Sequence, residues 1–139
     1  MSAPPILPAI TDENRPFWDA ARAGRLVMQR CETCGHVRYP ISAVCPRCLG
    51  PAAEWIDLSG RGSVLSFVIF ERSYNPAWAD RVPYNVALVQ LAEGPRMFSN
   101  VVGIPNDAVA VGMPVRVVFE AVPGTDVVLP RFAPAPKNE

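Results

Sequence analysis

Four cysteines occur as two tight pairs, Cys31 with Cys34 and Cys45 with Cys48, and each pair has two residues between its members. A two-residue spacer lets both sulfurs reach one ion from a single turn, and thiolates suit closed tetrahedral Zn²⁺ sites. The sequence therefore predicts one structural zinc ion bound by all four cysteines. Four thiolates complete the coordination sphere, so we expect no open position for a reacting water.

Other uses of these cysteines make demands that the sequence does not visibly meet. Disulfides need an oxidising compartment, and residues 1–5 lack the basic and apolar segments of a secretory signal. A redox-active pair is expected at the start of a helix in a βαβ unit. A zinc deaminase needs a His-x-Glu motif, but His36 is followed by Val37 and Arg38. Iron in place of zinc stays open.

Composition limits the function classes. Lys plus Arg and Asp plus Glu both number 13, so the net charge is zero, without the basic excess typical of nucleic-acid-binding proteins. No stretch of about 20 apolar residues is free of charge or proline, so we expect no membrane span. We predict a cytoplasmic protein. Charged residues make up only 19%, against a usual fraction of about 25%, which predicts an apolar surface for a partner.

The segments around the cysteines predict an N-terminal arm and helix in residues 1–25 and a ribbon in residues 26–52. Pro16 in the first turn and Gly24 after the last predict a helix over residues 16–23, with Phe17, Ala20 and Ala21 on its apolar face. Residues 26–30 read as a strand leading to the first cysteine pair, and residues 36–39 as its returning arm. Gly35 follows that pair directly, whereas Gly50 stands one residue further from the second, and both are suited to sharp turns. So short a ribbon needs the metal in order to fold.

Residues 53–139 read as a barrel of five strands. Residues 59–62 are predicted to form a bulge or bend within one long first strand. A short helical turn at residues 105–111, with Asn106 and Asp107 as its cap, separates the third strand from the fourth. This order is typical of an OB-fold, so the fold class is mainly β with a small α part. The predicted strands are 54–58 with 63–70, 84–92, 96–103, 113–122 and 127–132.

The long connection over residues 71–83 carries the candidate binding residues outside the cysteines. Arg72, Trp78 and Arg81 offer guanidinium groups and an aromatic face, and long loops of this kind often carry function. We therefore predict that these three contact a ligand or a partner. The alternative that Tyr74 and Trp78 only fold back over the end of the barrel stays open.

Several motifs together resemble one family of bacterial and archaeal proteins, called "domain of unknown function thirty-five". This family joins a rubredoxin-like zinc ribbon to an OB-fold, and the resemblance extends from about residue 13 over nearly the whole chain. The motifs are the helix with Phe17-Trp18, the strand entering Cys31, the paired cysteines with Tyr39-Pro40 between them, and the closing segment at residues 129–134.

The resemblance implies a non-catalytic accessory subunit of a thiolase, a thiolase-like aldolase or a related acyl-CoA enzyme. Such a subunit assembles into a hetero-oligomer and helps to receive or channel the acyl-CoA thioester. The sequence is consistent with a non-catalytic role, because the single histidine lies in the ribbon and no nucleophile has an evident base beside it. Family motifs do not specify Arg72, Trp78 and Arg81, which we choose on chemistry as contacts for CoA or the partner. The alternative is a nucleic-acid-binding module, since zinc ribbons and OB-folds recur in that role.

Overall fold

The structure is a computed structural model that describes residues 7–136, so the first six residues of the expected N-terminal arm lie outside the described residues. In this range none of the helices is long and apolar enough to cross a bilayer. Single turns of 3₁₀-helix occur at Pro76–Trp78 and Asn106–Ala108. The other elements are α1 (Arg15–Arg22), β1 (Val27–Cys31), β2 (Val37–Arg38), β3 (Ala53–Asp57), β4 (Arg61–Phe70), β5 (Tyr84–Leu91), β6 (Arg96–Ser99), β7 (Pro114–Ala121) and β8 (Val128–Pro134).

Helix α1 agrees with its prediction to within one residue at each end. Its apolar face is buried through Phe17, Ala20 and Ala21. Gly24 has a φ of +78° and ends the helix in a Schellman motif, in which the Arg25 N–H donates to the Ala20 carbonyl at 2.9 Å. This turn directs the chain straight into β1.

The ribbon is a three-stranded antiparallel sheet in the order β2-β1-β3. Strand β3 pairs with β1 over five residues, from Val27 opposite Asp57 to Cys31 opposite Ala53. The prediction that residues 54–58 form part of the first barrel strand is therefore wrong. Gly60, with a φ of +80°, bends the chain so that it leaves one sheet and enters the other. The domain boundary after residue 52 stays a prediction.

The second sheet has five strands in the order β6-β5-β4-β7-β8, and all neighbours are antiparallel. The chain after β6 runs beside β8, where the Phe132 N–H donates to the Asn100 carbonyl at 3.0 Å and the Val102 N–H donates to the Phe132 carbonyl at 2.7 Å. These bonds bring the two outer strands together and partly close the barrel. The predicted order of three strands, a helical turn and two strands is confirmed.

One hydrophobic core joins the ribbon to the barrel. Phe17 from α1 and Met28 from β1 belong to the same buried cluster as Val64, Val89 and Phe132 of the barrel. Met28 and Phe132 are completely inaccessible to solvent. The ribbon is thus packed on the barrel through shared apolar contacts.

Candidate functional site

The first cysteine pair forms a compact turn that is held by backbone hydrogen bonds. The Cys31 N–H donates to the His36 carbonyl at 2.9 Å, and the Gly35 N–H donates to the Cys31 carbonyl at 2.9 Å. The Cys34 N–H points at the Cys31 Sγ at 3.5 Å. Gly35 has a φ of +78°, as its position after the pair predicts.

The second pair repeats this hydrogen-bond pattern with a different residue at the sharp turn. The Cys45 N–H donates to the Gly50 carbonyl at 2.9 Å, and the Leu49 N–H donates to the Cys45 carbonyl at 2.8 Å. Leu49, not Gly50, has the positive φ, of 63°. Gly50 serves close packing instead, because a Cβ atom there would lie 3.3 Å from both the Cys48 Sγ and the Thr33 Oγ1.

The four sulfurs fit a single tetrahedral metal ion. All four Sγ atoms lie within 4.8 Å of one another. The Cys31 and Cys48 sulfurs are 3.5 Å apart and those of Cys34 and Cys45 are 3.6 Å apart. A tetrahedral site with metal–sulfur bonds of about 2.3 Å separates its sulfurs by about 3.8 Å. The fold therefore brings the predicted ligands together at a distance that suits a metal.

The backbone of the turns favours the thiolate form, which metals bind, at the two buried cysteines. The hydrogen bond from the Cys34 N–H is the largest cause that lowers the pKa of Cys31, to about 6. Burial raises the pKa of Cys45, but hydrogen bonds from the backbone of Cys48 and Arg47 outweigh it and lower the pKa overall. The two buried cysteines are thus prepared as ligands by local peptide groups.

A cleft of about 270 Å³ opens where the connection over residues 71–83 meets the barrel. Of the three candidate residues from this connection, Trp78 and Arg81 line the cleft. Arg72 is exposed and lies outside the lining. The structure therefore brings two of the three together.

Trp78 both packs on the barrel and lines the cleft. Its ring stacks on Tyr84 with 4.6 Å between centroids, and Tyr84 in turn stacks on Phe70 at 5.1 Å. The Arg81 guanidinium carbon lies 5.6 Å from the centre of the Trp78 ring. Tyr74 lies edge-on to Phe70, with 6.2 Å between ring centroids, and is 74% exposed. Trp78 can therefore both fold back over the end of the barrel and contact a ligand in the cleft.

The charged groups of the cleft leave it positive. The Glu120 carboxylate lies 3.9 Å from Arg81 Nη1 and 3.7 Å from Arg131 Nε. Arg131 Nη1 also donates to Asn100 Oδ1 at 2.6 Å. Burial lowers the pKa of Arg131, and the neighbouring Glu120 carboxylate opposes that shift. Among the described residues that line the cleft, two guanidinium groups share one carboxylate, which leaves one positive charge available to an anionic ligand.

The floor of the cleft is a network of asparagines that sequence reasoning missed, as it missed Glu120 and Arg131. Buried Asn85 donates from Nδ2 to the Val101 carbonyl at 2.8 Å and accepts from the Val101 N–H at 2.7 Å. Asn106, expected as a helix cap, donates instead to the Pro83 carbonyl at 3.0 Å. One signal was available, since a buried asparagine in the apolar alternation of β5 needs polar partners.

Comparisons with known proteins agree with this architecture. The family model described as the ChsH2 rubredoxin-like zinc ribbon domain matches residues 18–54. The model described as the ChsH2 C-terminal OB-fold domain matches residues 55–120. Together the two models cover the ribbon and most of the barrel.

Three relatives come from different organisms. A probable enoyl-CoA hydratase alpha subunit of Thermomonospora curvata is 39% identical over 133 residues, which are 95% of this chain but 40% of the relative. A DUF35 domain-containing scaffold protein of Methanothermobacter thermautotrophicus is 33% identical over 114 residues, 81% of this chain and 85% of the relative. The benzoylsuccinyl-CoA thiolase subunit BbsA of Thauera aromatica is 29% identical over 103 residues, 74% of this chain and 64% of the relative.

A solved structure of an Ltp2-ChsH2(DUF35) aldolase contains a chain with a TM-score of 0.81 and 39% identity to this one. The match covers 92% of this chain and 98% of that chain. The two matching family models, the scaffold relative and this structure support the same assignment. The chain therefore belongs to the DUF35 family of zinc-ribbon and OB-fold proteins.

Proposed function

We propose that this chain is a non-catalytic accessory subunit that binds a thiolase, a thiolase-like aldolase or a related acyl-CoA enzyme in a hetero-oligomer. The observation that carries the proposal is the likeness, over 92% of this chain, to a chain of an aldolase structure. The relatives are named as a scaffold protein and as subunits of a hydratase and a thiolase. Because those reactions differ while the ribbon and barrel recur, binding accounts for the shared module better than a shared chemical step.

We infer that the metal is zinc and that it is structural. A set of four thiolates suits a soft or borderline cation, and a closed tetrahedral site leaves no position for substrate. The protein would act in the cytoplasm, where thiols are kept reduced and can bind metal. The ion would then hold the two turns of the ribbon in register.

We also infer that the cleft receives part of an acyl-CoA. Its excess positive charge suits a phosphate group, and guanidinium groups bind phosphate oxygens through paired hydrogen bonds. Arg81 would bind the phosphate while Trp78 forms the apolar wall beside it. Arg72, which is exposed outside the cleft, would contact the partner enzyme instead.

Co-expression with a thiolase-like enzyme encoded nearby tests the assembly. We expect the two chains to co-purify, to elute together in size-exclusion chromatography and to give one complex by native mass spectrometry. The complex should turn over acyl-CoA while this chain alone does not. A chain that stays separate from every such enzyme, or that turns over acyl-CoA alone, would contradict the proposal.

Three single variants separate the assigned roles. Arg81→Met and Trp78→Leu should weaken CoA binding by at least about tenfold, as expected for the loss of a charged hydrogen bond or a stacked wall. Arg72→Met should leave CoA affinity unchanged and weaken the complex with the enzyme. Arg22→Met, on the exposed side of α1, is the matched control and should change neither. Equal CoA affinity in all four variants would remove the cleft from the proposal.

A further inference from the structure

A second cavity, of about 530 Å³, lies between the ribbon and the turn that joins β5 to β6. The ribbon side comes from residues around β2, and the barrel side comes from Gly94, Pro95 and Arg96. Among residues 7–136, its lining includes Arg38, Arg96 and His36 and contains no aspartate or glutamate. The cavity is therefore basic, although the chain as a whole has no net charge.

Arg38 is the unusual member of this lining. The residue is only 3% exposed. Its Nε donates to Gln29 Oε1 at 3.2 Å and its Nη2 donates to the Ser42 carbonyl at 2.9 Å. Its Nη1 is buried and has no hydrogen-bond partner in the part of the chain that the structure describes. Among residues 7–136, no carboxylate forms an ion pair with Arg38.

A buried guanidinium without a counter-charge is unfavourable. Arginine keeps its charge in proteins, so it cannot escape the cost of burial by losing a proton. The amide and carbonyl oxygens that it contacts are neutral and do not compensate that charge. Buried charges are normally paired, and buried donors normally have acceptors. Arg38 lacks both a counter-charge and an acceptor for Nη1, and it lines a cavity.

We propose that this cavity binds an oxyanion of the phosphate class, with Arg38 at its base and Arg96 at its rim. The planar guanidinium group presents paired donors that match phosphate oxygens. Within residues 7–136, Arg96 donates a side-chain hydrogen bond to Gln90 through Nε, which leaves its two terminal nitrogens free for this role. The phosphate is either a free ion or a group carried by a nucleotide.

This site is separate from the cleft beside Trp78. The cleft lies at the first residues of β5 and the cavity lies at the turn after its last residue. A strand of this length spans roughly 25 Å. The inference therefore does not rest on the proposed binding of acyl-CoA in the cleft.

Calorimetric titration of the metal-loaded full chain with inorganic phosphate tests the site, with sodium chloride adjusted to hold ionic strength constant. We expect saturable binding in the native chain and a loss of affinity of at least about tenfold in Arg96→Gln, as for a lost charged hydrogen bond. Arg38→Gln should abolish the part of the phosphate binding that depends on Arg96, whereas Arg81→Met in the cleft should leave that part unchanged. If the Arg38→Gln variant does not fold, the Arg96→Gln variant, which changes an exposed residue, tests the site by itself. Arg22→Gln removes the same charge from α1 and should bind phosphate like the native chain.

A second titration, with adenosine 3′,5′-bisphosphate, distinguishes the two sources of phosphate. Tighter binding than that of inorganic phosphate assigns the site to a nucleotide, and equal or weaker binding assigns it to the free ion. Either result supports the proposal if the Arg96→Gln substitution weakens the binding of the phosphate compound. Absence of saturable binding would mean that water alone satisfies Nη1. That result, or equal affinity in the native chain and Arg96→Gln, would overturn the proposal.

Discussion

At the level of single residues, the two metal-binding turns require the same backbone conformation but use different amino acids for it. Gly35 takes a positive φ at no steric cost, whereas Leu49 takes it with a Cβ atom present. Leu49 is also 71% exposed, so its apolar side chain gains little from burial. The second turn is therefore the more strained of the two.

Exchanging the residue types at these positions should have opposite effects. Gly35→Ala should lower the free energy of unfolding by about 1 kcal/mol, because a Cβ atom disfavours this φ although nothing lies within 4 Å of it. Leu49→Gly should leave stability unchanged or raise it slightly. Urea unfolding of the metal-loaded variants, followed by circular dichroism, measures both. A neutral Gly35→Ala variant would contradict this explanation of the turn.

The asparagine network at the floor of the cleft depends on one buried residue, Asn85. Asn85→Ala would leave the buried N–H and carbonyl of Val101 without their side-chain partner, so we expect a loss of about 2–3 kcal/mol in the free energy of unfolding. Asn75→Ala is the matched control. It removes an exposed bond to the Ala77 N–H and should cost about 1 kcal/mol or less. Chemical denaturation measures the free energy of unfolding of both variants. Equal losses would contradict a stabilising role for the asparagine network.

At the level of elements, the bend at Gly60 decides which sheet each half of the predicted first strand joins. The Val117 N–H donates to the Gly60 carbonyl at 2.8 Å. A Cβ atom on Gly60 would lie only 2.4 Å from Val117 Cγ1. The chain can pass this closely over β7 only with glycine, and this contact places β3 in the ribbon and β4 in the barrel.

The Gly60→Ala variant should therefore be more harmful than Gly35→Ala. Both pay for a positive φ, but the clash with Val117 should add about 1–3 kcal/mol of destabilisation. In the double variant Gly60→Ala with Val117→Ala, the clash is relieved and the two costs should be less than additive. Thermal and urea unfolding measure this coupling. Strict additivity would show that contact with Val117 is not the cause.

At the level of the whole molecule, the ribbon and the barrel do not have separate cores. Phe17 and Met28 share a buried cluster with Val64, Val89 and Phe132. Unfolding of the ribbon would expose the barrel side of this cluster to water. The metal should therefore stabilise more of the molecule than the turns that bind it.

Removal of the metal by a chelator should loosen the barrel as well as the ribbon. Hydrogen exchange followed by mass spectrometry should show lost protection in β1 and a smaller loss in β5 and β8. Protection should return when zinc is restored, which controls for irreversible damage. A ribbon that exchanges freely beside an unchanged barrel would show that the shared core does not couple them. Replacement of one cysteine, such as Cys45→Ser, should reproduce the effect of the chelator.

Features that are determined by neighbouring residues could be predicted from the sequence, and features that depend on distant residues could not. The spacing of the cysteines, Gly24 after α1 and the order of strands are local patterns, and each agrees with the structure. The sheet that residues 54–58 join is not determined locally, because the alternation of apolar residues in a strand does not specify which strand it pairs with. Likewise, the cleft joins Arg81, Glu120 and Arg131, which are far apart in sequence.

The sequence alone thus determined that four cysteines can surround one metal and that an OB-type set of strands follows. Turns and periodicity depend on neighbours within a few residues, so such features can be read directly from the chain. Only the tertiary structure decided that β3 joins the ribbon, that Asn85 supports the cleft and that Arg38 is buried without a counter-charge. Those outcomes depend on which distant residues share one interior, and burial sets the free energy of every polar group placed there.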